Sequence, residues 1–169
     1  MSFKDTISKQ TIVTSLHVNP SQVTSNINGT LDRILSKKVE GFCNENGYIL
    51  KNSTHILNRS LGKILSLNNR SKIIYNITFS ADVISPKEGD AFEAVIDSVN
   101  KMGAIAFVKY DDITTLQESP LIIILPNEYF NDSTYQLNDM NKGHRLKIEI
   151  VAVRIKFMSE QIHVVAKPI

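Results

Sequence analysis

The chain has 169 residues, 42% of them hydrophobic and 21% charged, with a mean hydropathy of −0.09; this excludes a collagen, a coiled-coil rod and a wholly disordered tail. The length suits one medium domain or two small ones, and no apolar run exceeds five residues, as at Leu121–Leu125, against the roughly 20 that a membrane-spanning helix needs. The net charge of +2 hides an asymmetry, since residues 1–85 hold ten Lys/Arg against five Asp/Glu and residues 86–169 hold nine against twelve, which implies two halves with different surfaces.

Residues 1–10 lack a hydrophobic period and an apolar leader segment, so they read as a loose N-terminal arm rather than a signal peptide. Thr11–Val18 reads as a strand with Ile12, Leu16 and Val18 apolar, stopped by Asn19-Pro20. Asn19 suits a helix N-cap and Pro20 the first helical position. Val23, Ile27, Leu31, Ile34 and Leu35 follow at helical spacing, which predicts an amphipathic helix over 20–38 with Lys37 and Lys38 in its last turn. Gly29 falls inside it and marks a close contact or a bend.

Val39–Cys43 and Tyr48–Leu57 then read as a hairpin about the Asn44–Gly47 turn. Residues 58–71 read as a long loop carrying Leu61, Gly62, Ile64 and Leu65, and Lys72–Ile84 as a strand buried on one face. Ser85-Pro86-Lys87-Glu88-Gly89-Asp90 is the strongest punctuation and sets the domain boundary. Beyond it come strands at 91–99, 104–110, 121–125, 145–157 and 161–165, separated by polar loops at 111–120 and 131–143. Five strands after a glycine-marked first turn suggest a small closed barrel of the OB type.

Chemistry-bearing motifs are sparse. No phosphate-cradling GxxxxGK[ST] or GxGxxG occurs, and His17, His55, His144 and His163 lack metal-ligand spacing. Cys43, the single cysteine, fits a reducing compartment and reads as a buried structural thiol. Asp111-Asp112 reads as a solvated turn. Six Asn-x-Ser/Thr triplets accompany 15 Asn and 22 Ile, a bias typical of AT-rich genes rather than of glycosylation. The expectation is a non-enzyme with no catalytic residue, metal or cofactor.

The stretches KVEGFCNENGYIL (38–50) and FSADVISPKEGDAFEAV (79–95) carry a resemblance, together with the order strand, helix, hairpin, long loop, strand and barrel. Over roughly residues 11–167 the chain resembles the stalk subunit of multisubunit DNA-directed RNA polymerases, the family of the seventh subunit of eukaryotic RNA polymerase II and of its archaeal counterpart. The resemblance implies an α+β protein: the arm 1–10, a truncated ribonucleoprotein-like tip domain over 11–85, and a five-stranded OB-fold β-barrel over 86–169. It implies a non-catalytic accessory subunit in transcription. The tip would dock on polymerase core subunits, and the barrel would meet nascent RNA or factors. A small helical stalk subunit would be a further partner. The AT-rich bias suits a large DNA virus, hence a virion or cytoplasmic viral factory, or a fast-evolving eukaryote, hence the nucleus; either is intracellular, with no membrane partner.

Two sets of residues follow. Arg59, Leu61, Gly62, Lys63, Ile64 and Leu65 are the expected core-docking loop, because apolar side chains sit inside a polar connection. Lys101, Ile105, Phe107, Lys109, Arg145 and Lys147 are the expected RNA contacts, with Phe107 as a stacking ring on the outer face and the cations on phosphates. The acidic balance of the barrel half makes the expected binding weak and sequence-independent. The alternative is a free-standing OB-fold single-stranded nucleic-acid-binding protein such as a translation factor. It has no reason to expose Leu61, Ile64 and Leu65 and calls for a basic barrel with exposed aromatics.

Overall fold

The computed structural model describes residues 2–131 and 135–169. Residues 132–134, inside the loop expected over 131–143, lie outside the described residues. The chain divides into two compact units, one built from residues up to Ser8, Phe42–Tyr48 and Ile84–Ile169, the other from Lys9–Gly41 and Ile49–Val83.

The second unit is a sheet backed by one helix. Its strands are β1 (Ile7–Val18), β2 (Tyr48–Ile49), β3 (His55–Arg59), β4 (Lys63–Leu67) and β5 (Arg70–Ile84), and its helix α1 spans Ile27–Val39. Strand β5 is the spine, flanked by β1 and β2 and paired antiparallel with β3 and β4. Leu31 and Leu35, one turn apart on α1, are buried with Leu16, Val18, Ile77, Phe79, Ala81 and Val83. The Lys38 ammonium donates to the Ser15 carbonyl at 2.8 Å, which fastens the C-terminal turn of α1 to β1.

Two expectations fail in this unit. The helix does not start at Pro20. Asn19 and Gln22 close a capping box on a single 3-10 turn, Pro20–Gln22, after which the chain runs extended through Val23. Residues 58–71 are not a loop. Arg59 ends β3, and β4 pairs with β5 from Lys63↔Ile74 to Leu67↔Arg70, leaving Asn68-Asn69 as a two-residue turn. Both asparagines lie at positive φ (50° and 63°), as the type I′ hairpin turn requires. The first hairpin is also reduced: α1 runs to Val39, and Cys43 meets Tyr48 only as an isolated bridge.

The first unit is mainly a closed barrel. Strands β6 (Ala91–Asn100), β7 (Gly103–Phe107), β8 (Leu121–Pro126), β9 (Arg145–Arg154) and β10 (Ile162–Pro168) close in the order β10-β8-β7-β6-β9. All pairs are antiparallel except β10 with β8. This arrangement is an OB-like barrel. Alternation fills the interior with Phe92, Ile96, Ile123, Leu125, Ile148 and Val164, and the small Ala94, Ala104, Ala106 and Ala166 fit between them. Gly103 opens β7 at φ +145°, where an added Cβ would lie 2.1 Å from the Leu125 carbonyl oxygen, so only glycine allows the β7–β8 contact there.

The first residues belong to this unit rather than forming a free arm. Phe3–Thr6 is a 3-10 turn, and the buried Phe3 ring meets Phe92 and Tyr110 edge-on at centroid distances of 5.5 and 5.4 Å. Among the described residues, every buried side-chain nitrogen and oxygen has a hydrogen-bond partner.

Candidate docking and nucleic-acid surfaces

The expected docking residues meet different fates. Leu61 is 87% exposed and Ile64 76% exposed, with Leu65 and Leu57 also open to solvent. Exposed apolar side chains thus stand on the β3–β4 connection (Leu61) and on both faces of β4 (Ile64 and Leu65), with Lys63 exposed beside them. Arg59 is occupied within its own unit: its Nε donates to Asn28 Oδ1 at 2.8 Å and its guanidinium stands 5.7 Å over the Tyr75 ring. Gly62 allows a close approach, but to β5: a Cβ there would stand 2.7 Å from Ile73 Cγ2 and 2.9 Å from the Tyr75 ring. Arg59 and Gly62 thus tie this segment to its own unit, while Leu61, Ile64 and Leu65 are open to solvent, the last two on opposite faces of β4.

The six expected RNA contacts separate. Lys109, Arg145 and Lys147 come together around a hollow of about 620 Å³ that Ser2, Phe3, Glu93, Val95 and Val108 also line. Strand β6 holds Glu93 opposite Lys147 on β9, and the Glu93 carboxylate takes Arg145 at 3.5 Å. Both partners are more than 60% exposed, so this pair contributes little. Lys101 stands in the β6–β7 turn beside a different hollow, lined by Asn127, Asn131 and Asn138. Ile105 is half-buried and paired with Ile124, which pairs in turn with Val165.

Phe107 is a correction. Alternation groups it with Ile105 and Lys109, and the resemblance implies that this set faces outward, but Phe107 is only 5% exposed and pairs with the comparably buried Val95. Ala106 and Phe107 are consecutive residues of β7 and both are buried, so both faces of the strand are covered there, and Val108 just past its end is buried too.

A second cationic group lies at the β9–β10 connection, where the expected strand runs through to residue 157. Strand β9 stops at Arg154, and Arg154, Lys156, Phe157, Met158, Ser159 and His163 surround a hollow of about 450 Å³. A register shift between Val165 and Ala166 brings Arg154 directly opposite His163. Sequence reading misses this group, although the run Arg154-Ile155-Lys156-Phe157-Met158 interleaves cations with an aromatic residue.

Cys43 is buried, and burial pushes its thiol up to about 11, which makes it a poor nucleophile. Among the described residues no group of three or more His, Cys, Asp or Glu is placed to hold a metal ion.

No protein-family model matches the chain. Over 159 residues it is 23% identical to a protein of Acanthamoeba polyphaga mimivirus named "Putative DNA-directed RNA polymerase subunit L376". The match covers 88% of this chain and 74% of the mimivirus protein.

Proposed function

We propose that this chain is a non-catalytic, stalk-type subunit of a DNA-directed RNA polymerase. In this reading it docks on the core through the β4–β5 hairpin and offers its barrel to emerging RNA. The observation that carries the reading is the likeness to the mimivirus protein along nearly the whole chain. The exposed Leu61, Ile64 and Leu65 support it, because a free-standing single-strand binder has no use for an apolar hairpin of this kind. The OB-like barrel, with Lys109, Arg145 and Lys147 gathered at one hollow, supports the RNA-facing part. A small helical stalk subunit belongs to the same proposal as a further partner, and the compartment is that of the polymerase, whether virion, viral factory or nucleus.

The reading is tested by purifying the tagged full chain from cells that express it and identifying its partners by mass spectrometry. Recovery of the two largest polymerase subunits in stoichiometric amounts is the expected result. Recovery of ribosomal particles or single-stranded nucleic acid without polymerase would favour the free-standing binder instead.

A further inference from the structure

Helix α1 covers one face of the second unit's sheet, and the residues it covers define the other face. On β1 the buried Leu16 and Val18 face α1, so alternation turns Thr11, Val13, Ser15 and His17 away from it. On β5 the buried Tyr75, Ile77 and Phe79 face α1, which turns Arg70, Lys72, Ile74, Asn76 and Thr78 to the opposite side. Residues directly opposite each other on paired strands share a face. The pairs Lys63↔Ile74 and Leu65↔Lys72 therefore bring Lys63 and Leu65 of β4 onto that same side. An antiparallel sheet open to water on one side is ordinary. The composition of this open side is not.

The second unit holds nine Lys and Arg against three Asp and Glu. Three of those cations, Lys63, Arg70 and Lys72, gather at one end of the open face, with Lys63 one diagonal step from Lys72 across the β4–β5 pair. Among the described residues none of the three forms an ion pair. Lys72 donates to Asn19 Oδ1, a neutral acceptor, at 2.5 Å. Asp82, the carboxylate on this side of β5, stands toward the other end of the strand, beyond the buried Ser80. Uncompensated like charges this close repel one another, and a negative partner relieves that repulsion. The face also carries apolar surface: Val13 is 71% exposed, Leu65 38% exposed and Ile74 half-buried. It carries no aromatic ring, because Tyr75 and Phe79, the aromatic residues of this unit, are both turned toward α1. Nucleic-acid bases have nothing to stack on here, whereas apolar side chains bordered by charge suit the surface of another protein.

We propose that the face of the sheet turned away from α1 docks an acidic segment of a partner protein, whose Asp and Glu side chains meet Lys63, Arg70 and Lys72 while its apolar residues cover Val13, Leu65 and Ile74. Charge complementarity selects the occupant: three cations without an ion pair, in a unit with a threefold excess of cations, call for carboxylates. The proposal does not rest on the polymerase reading. The partner's chemistry follows from this face, and Val13, Arg70 and Lys72 lie outside the expected core-docking set. Attraction between exposed charges is screened by salt, so association is expected to slow as ionic strength rises.

The test uses the full-length chain. A displayed library of random peptides of about a dozen residues is panned against it, and the selected peptides are made with a fluorescent label for anisotropy titrations. Enrichment of Asp and Glu interspersed with apolar residues is expected. Affinity is then compared between Arg70→Glu/Lys72→Glu and Arg33→Glu/Lys37→Glu, which reverses as many charges on the exposed side of α1, in the other layer of the same unit. The first variant should weaken the selected peptides by about tenfold or more, because like charges then meet at the contact, and the second by less than about threefold. Val13→Asp leaves the hairpin untouched and should weaken them as well. Selected peptides without an acidic bias, or equal losses in the two double variants, overturn the proposal. Displacement of the peptides by a single-stranded RNA oligomer that itself loses affinity with Arg70→Glu/Lys72→Glu also overturns it and hands the face to nucleic acid. Concentration-dependent self-association of the wild type that this same variant abolishes overturns it in favour of a second copy of the chain.

Discussion

Leu31 and Leu61 carry the same side chain in opposite environments, and truncating each to alanine isolates burial as the variable. Leu31 is fully buried between α1 and β5, whereas Leu61 is 87% exposed. Leu31→Ala removes transfer free energy and leaves a cavity, at a cost of about 2–5 kcal/mol. For Leu61 only about an eighth of the side chain is covered, so the corresponding loss is about 0.2–0.4 kcal/mol on a scale of 1.5–3 kcal/mol for full burial. Urea unfolding followed by far-UV circular dichroism reads the difference. With a slope of about 2 kcal/mol per molar, Leu31→Ala should move the midpoint down by about 1–2.5 M and Leu61→Ala by no more than about 0.2 M. Comparable shifts for the two variants would show that α1 does not bury this face, or that the hairpin edge is not open, and would refute the packing described for this unit.

Other outcomes follow from single contacts. Gly103→Ala drives a Cβ to 2.1 Å from the Leu125 carbonyl oxygen and should destabilise the barrel by well over 1 kcal/mol, whereas Gly143→Ala, with open space around it, should meet only the strain of its φ of +89°; equal denaturation midpoints for the two would contradict the β7–β8 contact. Cys43 should react slowly with iodoacetamide near neutral pH, and its folded-state thiol, raised from 9.0 to about 11, should make stability fall as pH rises through that interval, because the unfolded thiol ionises first. Labelling as fast as a free cysteine at neutral pH would contradict that burial.

The legible parts of the fold are those where one period runs undisturbed. Alternation marks β9, the apolar run Leu121–Leu125 marks β8, and β6 is read within one residue of its end, so their order implies the barrel. The misreadings have local causes. Asn19-Pro20 is a good helix start, but Gln22 closes the box after one turn, so capping chemistry alone does not decide the length of the element. The hairpin at 63–74 reads as a loop because its turn is Asn-Asn rather than the more familiar Asn-Gly, and because its outward apolar residues blur the alternation. Phe3 has no periodic neighbours, so nothing in residues 1–10 announces that its ring is buried against Phe92.

Site legibility follows the same division. Alternation puts Arg145 and Lys147 on one face of β9, and Lys109, which lies past the end of β7, lines the same hollow. Phe107 is misplaced because both faces of β7 are covered at Ala106 and Phe107, which alternation does not announce. Phe157 escapes sequence reading because its position depends on backbone hydrogen bonds to Cys43, more than a hundred residues earlier, and no local pattern encodes such a contact.

The most direct test of the polymerase proposal is co-purification of the large polymerase subunits with the tagged wild-type chain and with Leu61→Asp/Ile64→Asp. Both side chains are largely exposed, so the variant should fold and keep its denaturation midpoint within the range of a surface change. The account predicts that the wild type brings down the large subunits and that the folded variant does not. A variant that recovers polymerase as fully as the wild type would contradict docking through the hairpin, and a wild type that recovers none would contradict the proposed function itself.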